Sequence, residues 1–321
     1  MGLHFDRFAR GIRGSLLTAL LALAACARAR NGTALGDDRP AASLSTSPAP
    51  SATPTSTPAI LASLPVTPEL VVYATAPRTL RGFLARPPGE GPFPAVVFNH
   101  GSEPRPGSMQ GQITFYTAHG FVVFVPHRRG HGQSEGAYLM LDITGASDEL
   151  RPAVFVQKLM EQVDDVAAAV EYVKRQPFVD PAKIVIAGCS FGGIESLLAA
   201  ERDLGIRAAV DFAGAAMAWG QSDSVLLRDR MIDAARHARV PVFFLQAEND
   251  FDIRPTQVLS AEMQKAGLPY RAKIFPPNGA THQEGHAFCR GGEAPPWGPD
   301  VLDFLTEAMR RVSDRPPPVG R

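Results

Sequence analysis

A strand, a glycine-flanked serine turn and a helix follow one another directly at residues 183–200, and this succession constrains the fold more than any other stretch. Residues 183–187 form an apolar, β-branched run typical of a buried strand, and residues 194–200 are typical of a helix. Between them lies Gly-Cys-Ser-Phe-Gly-Gly, with Ser190 at its centre. A turn this tight strains the backbone of the central residue and excludes bulky side chains two positions before and after it. The stretch predicts a serine exposed at the carboxyl end of a strand.

Ser190 in this setting is predicted to be a nucleophile. The G-x-S-x-G pattern at a strand-to-helix turn exposes the serine Oγ. The N–H groups at the start of the following helix point to where negative charge develops during attack. The pattern also arises by chance in glycine-rich chains, so a simple structural turn is the alternative. The flanking strand and helix, and partners further along the chain, favour the nucleophile.

Strands and helices alternate through residues 67–312, which we predict to be one catalytic domain. The predicted strands are 69–73, 80–85, 95–99, 121–125, 183–187, 208–212, 242–247 and 271–275, and the main helices are 110–118, 158–175, 194–200, 256–266 and 300–312. This alternation predicts an α/β fold with a doubly wound, mainly parallel sheet and helices on both faces. The first two strands, which no helix separates, should pair antiparallel at one edge.

The predicted orienting acid is Asp250. A serine nucleophile needs a base, and the base needs an acid that fixes its orientation. Asp250 lies in the loop just past the buried strand 242–247, where such an acid belongs. Asp252 is the main alternative, Glu248 is a weaker one, and Asp211, past the preceding strand, is an outside candidate.

The predicted base is His286. Only two histidines follow the proposed acid, and both lie between the last strand and the last helix. A loop at that position can bring an imidazole over the serine. His282 is interpreted as a surface-loop histidine or a substrate contact.

Two backbone N–H groups are predicted to form an oxyanion hole. One belongs to Phe191, directly after the serine, and the other to the loop after the third strand, which contains His100-Gly101-Ser102. Ser102 is the favoured donor and Gly101 the alternative, whereas His100 is expected to be structural.

No metal, cofactor or nucleic acid is predicted. His127 and His131 are four residues apart, as metal ligands on a helix can be, but the glycines at 130 and 132 disfavour a helix there. Lys plus Arg and Asp plus Glu each number 32, so the chain has no net charge to attract a polyanion.

The first 25 residues predict export. Three arginines precede residue 14, and the apolar run 15–25 is too short to span a membrane as a mature helix. Leu-Ala-Ala-Cys, ending at Cys26, resembles the lipobox of bacterial lipoprotein signal peptides, and an ordinary secretory signal cleaved near Ala25 is the alternative. The resemblance implies a lipid on Cys26 that anchors the chain to the cell envelope, with the outer membrane favoured because Ala27 follows and no Asp does. The catalytic domain would then lie in the periplasm or at the cell surface.

The Pro-, Ser- and Thr-rich stretch from Cys26 to residue 66 is predicted to be a disordered tether, and 313–321 a disordered tail.

Cys189 and Cys289 are expected to be free thiols, with a disulfide as the alternative. Residues 136–157 interrupt the strand–helix rhythm, and both a cap over the site and an ordinary packed loop remain open.

Several of these motifs together resemble the dienelactone hydrolase-like branch of the α/β-hydrolase superfamily, with kinship to prolyl-oligopeptidase-type domains. They are His100-Gly101, Arg129-Gly130-His131-Gly132, Val179-Asp180-Pro181, residues 188–193, Asn249-Asp250 and Gly285-His286-Ala287-Phe288. Dienelactone hydrolases use a cysteine nucleophile, whereas Ser190 stands here. The resemblance therefore implies a serine hydrolase that cleaves small carboxylic esters without a cofactor.

Two other functions were weighed against ester hydrolysis. The first is a prolyl-oligopeptidase-type peptidase. Such peptidases usually have an added propeller domain, and residues 27–66 are too few to form one. The second is a catalytically silent envelope lipoprotein that binds a ligand, which the intact Ser190, Asp250 and His286 disfavour.

Overall fold

The computed structural model describes residues 66–310. The predicted signal peptide, Cys26, the tether and the tail lie outside the described residues, apart from residue 66 itself. No helix within 66–310 has the length and apolar character needed to cross a membrane.

The centre of the domain is one eight-stranded sheet. Its strands are β1 (Glu69–Ala74), β2 (Leu80–Ala85), β3 (Phe93–Asn99), β4 (Val122–Pro126), β5 (Val179–Cys189), β6 (Ala209–Phe212), β7 (Val242–Ala247) and β8 (Tyr270–Phe275). The order across the sheet is β1-β2-β4-β3-β5-β6-β7-β8. β2 pairs antiparallel with β1 and β4, and every other pair is parallel. The mainly parallel sheet with an antiparallel edge is thus confirmed.

Eight α-helices are described. They are α1 (Gln110–Ala118), α2 (Leu139–Gly145), α3 (Arg151–Lys174), α4 (Phe191–Ala200), α5 (Val225–Arg236), α6 (Arg254–Lys265), α7 (His282–His286) and α8 (Gly298–Arg310). The sequence did not predict α2, α5 or α7. Residues 136–157, left open as a cap or a packed loop, contain α2 and the first turns of α3, which begins with a proline in its first turn.

Helices cover both faces of the sheet, as predicted. On one face α3, α4, α5 and α6 share one core cluster with the strands through Val163, Leu197, Met231 and Leu259. On the other face α1 and α8 do so through Ile113 and Leu305. β3 to β7 are buried on both faces along most of their length, which accounts for their continuous apolar sequences.

Candidate active site

Ser190 lies at the junction of β5 and α4 in a strained backbone conformation. Its φ is 57° and its ψ is −115°, a combination that non-glycine residues rarely adopt. The Ser190 N–H donates to the carbonyl of Phe212 on β6 at 2.8 Å, which ties the turn to the neighbouring strand. Gly192 lies so close to the backbone of Asn99 that any Cβ there would overlap it. The close approach explains why this position of the predicted elbow is a glycine.

Three predicted residues meet at this turn. His286 Nδ1 lies 2.8 Å from Asp250 Oδ1, and His286 Nε2 lies 2.8 Å from Ser190 Oγ. Because a carboxylate only accepts, Nδ1–H donates to Asp250, and Nε2 is left to accept the Ser190 hydroxyl proton. The Asp250 side chain is fully shielded from solvent, and that of His286 is 13% exposed. This arrangement can withdraw a proton from the serine, although the catalytic roles themselves stay predictions.

Asp250 is held by two further donors. The Phe251 N–H donates to Oδ1 at 2.7 Å, and Gln246 Nε2–H donates to Oδ2 at 2.9 Å. Gln246 is itself fixed, because Thr256 Oγ1–H donates to its amide oxygen at 2.8 Å. The buried carboxylate therefore has its orientation set from both sides, and Gln246 was not foreseen from the sequence.

The alternative acids have other partners. Asp252 pairs with Arg254, and the Glu248 side chain is exposed. Asp211 is buried and accepts the Gly214 N–H at 2.8 Å. Burial raises the pKa of Asp211 to about 7, against the opposing effect of that hydrogen bond. Among the four candidates, Asp250 is the one that contacts the His286 ring.

The short helix α7 carries His286 and begins with a capping box. Thr281 Oγ1 accepts the Glu284 N–H, and the Glu284 carboxylate accepts the Thr281 N–H. His282, the first residue of α7, is exposed, and its Nδ1–H donates to the carbonyl of Asn249 at 3.0 Å. His282 therefore lies on a helix and not on a loop, and a helix of five residues positions the predicted base, His286.

Arg128 fixes the loop that contains the second predicted oxyanion donor. Its Nη2–H donates to the carbonyls of His100 and Gly101, each at 3.0 Å. In a trans peptide unit the N–H points opposite to the C=O, so binding the Gly101 carbonyl turns the Ser102 N–H away from Arg128. The Ser102 carbonyl in turn accepts the hydroxyl of Tyr138 at 2.6 Å. The loop is therefore held on both sides of the Gly101–Ser102 peptide.

Arg128 also pairs with Glu195 on the helix that follows the serine. Arg128 Nε lies 2.8 Å from Glu195 Oε2, with both side chains fully buried. Burial raises the pKa of Glu195 to about 8, although the positive charge of Arg128 opposes this shift. Burial also lowers the pKa of His100 well below its ordinary value, with Arg128 adding to the effect, and this favours the neutral ring of a structural histidine. In the sequence, the one sign of this pair is Glu195, a single charged residue in the otherwise apolar helix predicted at 194–200.

His127 and His131, the two histidines with a possible metal-ligand spacing, each contact a loop carbonyl. His127 Nε2–H donates to Gly107 O, and His131 Nδ1–H donates to Glu103 O, each at 2.9 Å. Within 66–310, no three His, Cys, Asp or Glu side chains are grouped to hold a metal ion.

Two aromatic side chains of residues 136–157, the segment that interrupts the predicted strand–helix rhythm, contact residues next to the site. The ring of Phe155, on α3, lies 5.9 Å from that of Phe191. Tyr138, just before α2, packs edge-on against His131. Residues 136–157 thus supply contacts next to the proposed oxyanion donors, and a role as a cap or substrate wall stays a prediction beside that of an ordinary packed loop.

Cys189 and Cys289 form a disulfide, so the expectation of two free thiols is wrong. Their Cα atoms are 5.8 Å apart, and 100 residues separate them in sequence. A count of three cysteines is too small to predict a disulfide framework. Pairing here depends on tertiary structure, because the end of β5 and the turn that follows α7 meet at the site.

Comparisons with known proteins agree with this fold. The model of the Dienelactone hydrolase family matches residues 80–296. Polyketide transferase grgF from Penicillium sp. is 26% identical over 208 residues, which cover 61% of this chain and 64% of that protein, less than two thirds of its length.

Two solved structures share the fold at low sequence identity. A puromycin-hydrolyzing peptidase of Mycobacterium tuberculosis matches with a TM-score of 0.56 and 20% identity, over 78% of this chain and 42% of the peptidase. Esterase 2 of Thermogutta terrifontis, phosphoramylated by tabun, matches with a TM-score of 0.52 and 20% identity, over 78% of this chain and 96% of the esterase. The fold thus occurs in both an esterase and a peptidase.

Proposed function

The chain belongs to the dienelactone hydrolase family of α/β-hydrolases, and on that premise we propose that it cleaves carboxylic esters through an acyl-enzyme on Ser190. The observation that carries the proposal is the continuous hydrogen-bonded path from Asp250 through His286 to Ser190 Oγ. The strained φ of 57° at Ser190 supports it, because such strain is concentrated at functional sites.

In the first half of the reaction, Ser190 Oγ attacks the ester carbonyl carbon while His286 Nε2 takes the hydroxyl proton. Asp250 keeps the imidazole in the tautomer that can accept this proton and stabilises the imidazolium that forms. The carbonyl oxygen becomes an oxyanion, to which the N–H groups of Phe191 and Ser102 donate. The imidazolium then protonates the alkoxide oxygen, the C–O bond breaks, and the alcohol leaves.

In the second half, water attacks the acyl-enzyme carbonyl. His286 removes a proton from the water, the same N–H groups hold the second oxyanion, and His286 returns the proton to Ser190 Oγ as the carboxylic acid leaves.

The test is hydrolysis of p-nitrophenyl acetate and butyrate by the full-length chain beside Ser190→Ala. We expect turnover that the substitution abolishes, while Ser260→Ala, which removes a buried hydroxyl on α6, keeps the wild-type rate. A fluorophosphonate should label the wild type and leave Ser190→Ala unlabelled. Equal turnover by wild type and Ser190→Ala would overturn the proposal.

A peptidase is the second candidate, supported by the fold shared with the puromycin-hydrolyzing peptidase. Hydrolysis of acylaminoacyl and prolyl p-nitroanilides distinguishes the peptidase from the esterase. An amide is harder to cleave than an ester, because an amine is a poor leaving group that His286 must protonate. Fluorophosphonate labelling with amide turnover that exceeds ester turnover would favour the peptidase. A folded protein without labelling would favour a binding protein.

A further inference from the structure

We infer that the Cys189–Cys289 disulfide is a positioning device for catalysis, which holds the base His286 against the nucleophile Ser190. The inference rests on the proposed function and concerns residues that take no part in bond making. Cys189 directly precedes Ser190, and Cys289 ends the turn Ala287–Cys289 that directly follows His286. The bridge therefore joins the two segments whose separation decides whether the proton transfer is possible.

The bridge shortens the covalent path between base and nucleophile. Along the chain, Ser190 and His286 are 96 residues apart. Through the disulfide, the path crosses only the two cysteines and the two residues between His286 and Cys289. The hydrogen bond from Ser190 to His286 closes this small ring. The cross-link thus removes most of the freedom with which α7 could move away from the end of β5.

Other contacts of α7 lead to different parts of the molecule. His282, at the start of α7, donates to Asn249 in the loop that carries the acid. In the turn that follows α7, the Cys289 carbonyl accepts a hydrogen bond from Gln112 on α1 at 3.0 Å. These contacts keep the segment folded and keep His286 near Asp250, whereas the disulfide reaches the nucleophile strand itself. Loss of the bridge should therefore change the distance from Nε2 to Oγ more than the fold.

The size of the effect follows from the geometry of proton transfer. A displacement of about 1 Å in a reacting group can cost on the order of 100-fold in rate. Because the other anchors of α7 stay in place, we expect a loss of at least tenfold in kcat, with KM within about twofold. A bridge that served stability alone would lower the melting temperature and leave kcat unchanged at temperatures where the protein is folded.

The test uses the full-length chain with Cys26→Ser in every sample. A thiol assay then reports on Cys189 and Cys289 alone. Denatured, unreduced protein should show no free thiol, and finding two would overturn the inference. The double variant Cys189→Ala/Cys289→Ala is compared with the oxidised parent by kcat, KM and far-UV circular dichroism. Met263→Ala, a fully buried site on α6, is the matched control for lost stability. It should unfold earlier and keep its kcat.

Reduction provides the reversible form of the same experiment. A phosphine reductant breaks the S–S bond, the two sulfurs each gain a proton, and the phosphorus takes oxygen from water as it is oxidised. The parent should lose kcat on reduction and regain it on reoxidation, and the double variant should respond to neither. A folded double variant with kcat within twofold of the parent would overturn the inference.

A failure of the proposed function can be told apart from a failure of this inference. If the oxidised parent neither hydrolyses esters nor reacts with fluorophosphonate, the proposed function fails. The ¹⁵N resonance of His286 Nε2, the atom that accepts the hydrogen bond from Ser190, then gives the readout. A change of this resonance in the double variant would still support positioning by the bridge, and an unchanged resonance would overturn it.

Discussion

The side chains of Arg128 and Glu195 form a pair from which solvent is fully excluded, with 2.8 Å between Nε and Oε2. The pair links the helix that starts at Ser190 to the loop that starts at His100, because the same guanidinium donates to two carbonyls of that loop. One side chain therefore connects the structures that would supply the two oxyanion donors, Phe191 and Ser102.

Arg128→Met should lower both stability and kcat. Breaking a buried pair leaves Glu195 without its partner at a cost of about 3–5 kcal/mol in the free energy of unfolding. In Arg128→Met/Glu195→Leu most of that stability should return, whereas kcat should stay at least tenfold low because the loop carbonyls still lack their donor. Denaturant unfolding and steady-state kinetics measure the two effects. A double variant with wild-type kcat would contradict the role of Arg128 in positioning the loop.

Asp250→Asn should reduce kcat by roughly four orders of magnitude, as expected when the acid that fixes the imidazole tautomer is lost. Asp252→Asn is the matched control, because Asp252 pairs with Arg254 and lies in the same loop. Its kcat should stay within a few-fold of the wild type. The measurement is kcat of both variants on p-nitrophenyl butyrate. A larger loss of kcat in Asp252→Asn than in Asp250→Asn would make Asp252 the acid.

The parts that the sequence predicted well depend on local signals. The eight strands are apolar runs that need no knowledge of distant residues, and the elbow at Ser190 is specified by its own glycines. Asp250 and His286 followed from their positions after β7 and β8, since the carboxyl ends of parallel strands meet at one edge of the sheet.

The features that were missed depend on tertiary structure or on short segments. The disulfide joins residues 100 positions apart, and no local pattern distinguishes a cysteine that has a partner from one that lacks it. α7 has five residues, too few for helical periodicity to be seen, and its capping box was the only local sign. The role of Arg128 was not predicted, because its partner Glu195 lies on a different element.

Tyr138→Phe should lower kcat by about 2- to 10-fold with little change in KM. The substitution removes the hydroxyl that donates to the Ser102 carbonyl at 2.6 Å, and one such bond contributes about 0.5–1.5 kcal/mol. Tyr270→Phe, on the edge strand β8, is the control and should behave like the wild type. If kcat were the same in all three proteins, the Tyr138 hydroxyl would have no part in holding the loop.

Asp211 should make stability depend on pH, although it takes no part in the proposed reaction. Burial raises the pKa of this carboxyl to about 7 in the folded protein, from an ordinary value of 3.8. Between these pH values the unfolded chain loses the proton and the folded protein keeps it, so its contribution to stability is complete below about pH 4. That contribution declines as the pH rises and is lost above about pH 7.

Asp211→Asn isolates this effect, because asparagine keeps an oxygen for the Gly214 N–H and does not ionise. The free energy of unfolding of the variant, relative to the wild type, should rise by about 1.4 kcal/mol per pH unit between pH 5 and 7 and level off above pH 7. The contributions of other titrating groups cancel in this difference when they lie far from the substitution. Asp203→Asn, at an exposed site, should give a flat difference when urea unfolding is measured at the same pH values. A flat difference for Asp211→Asn as well would mean that the folded protein holds Asp211 ionised, with a partner for its charge.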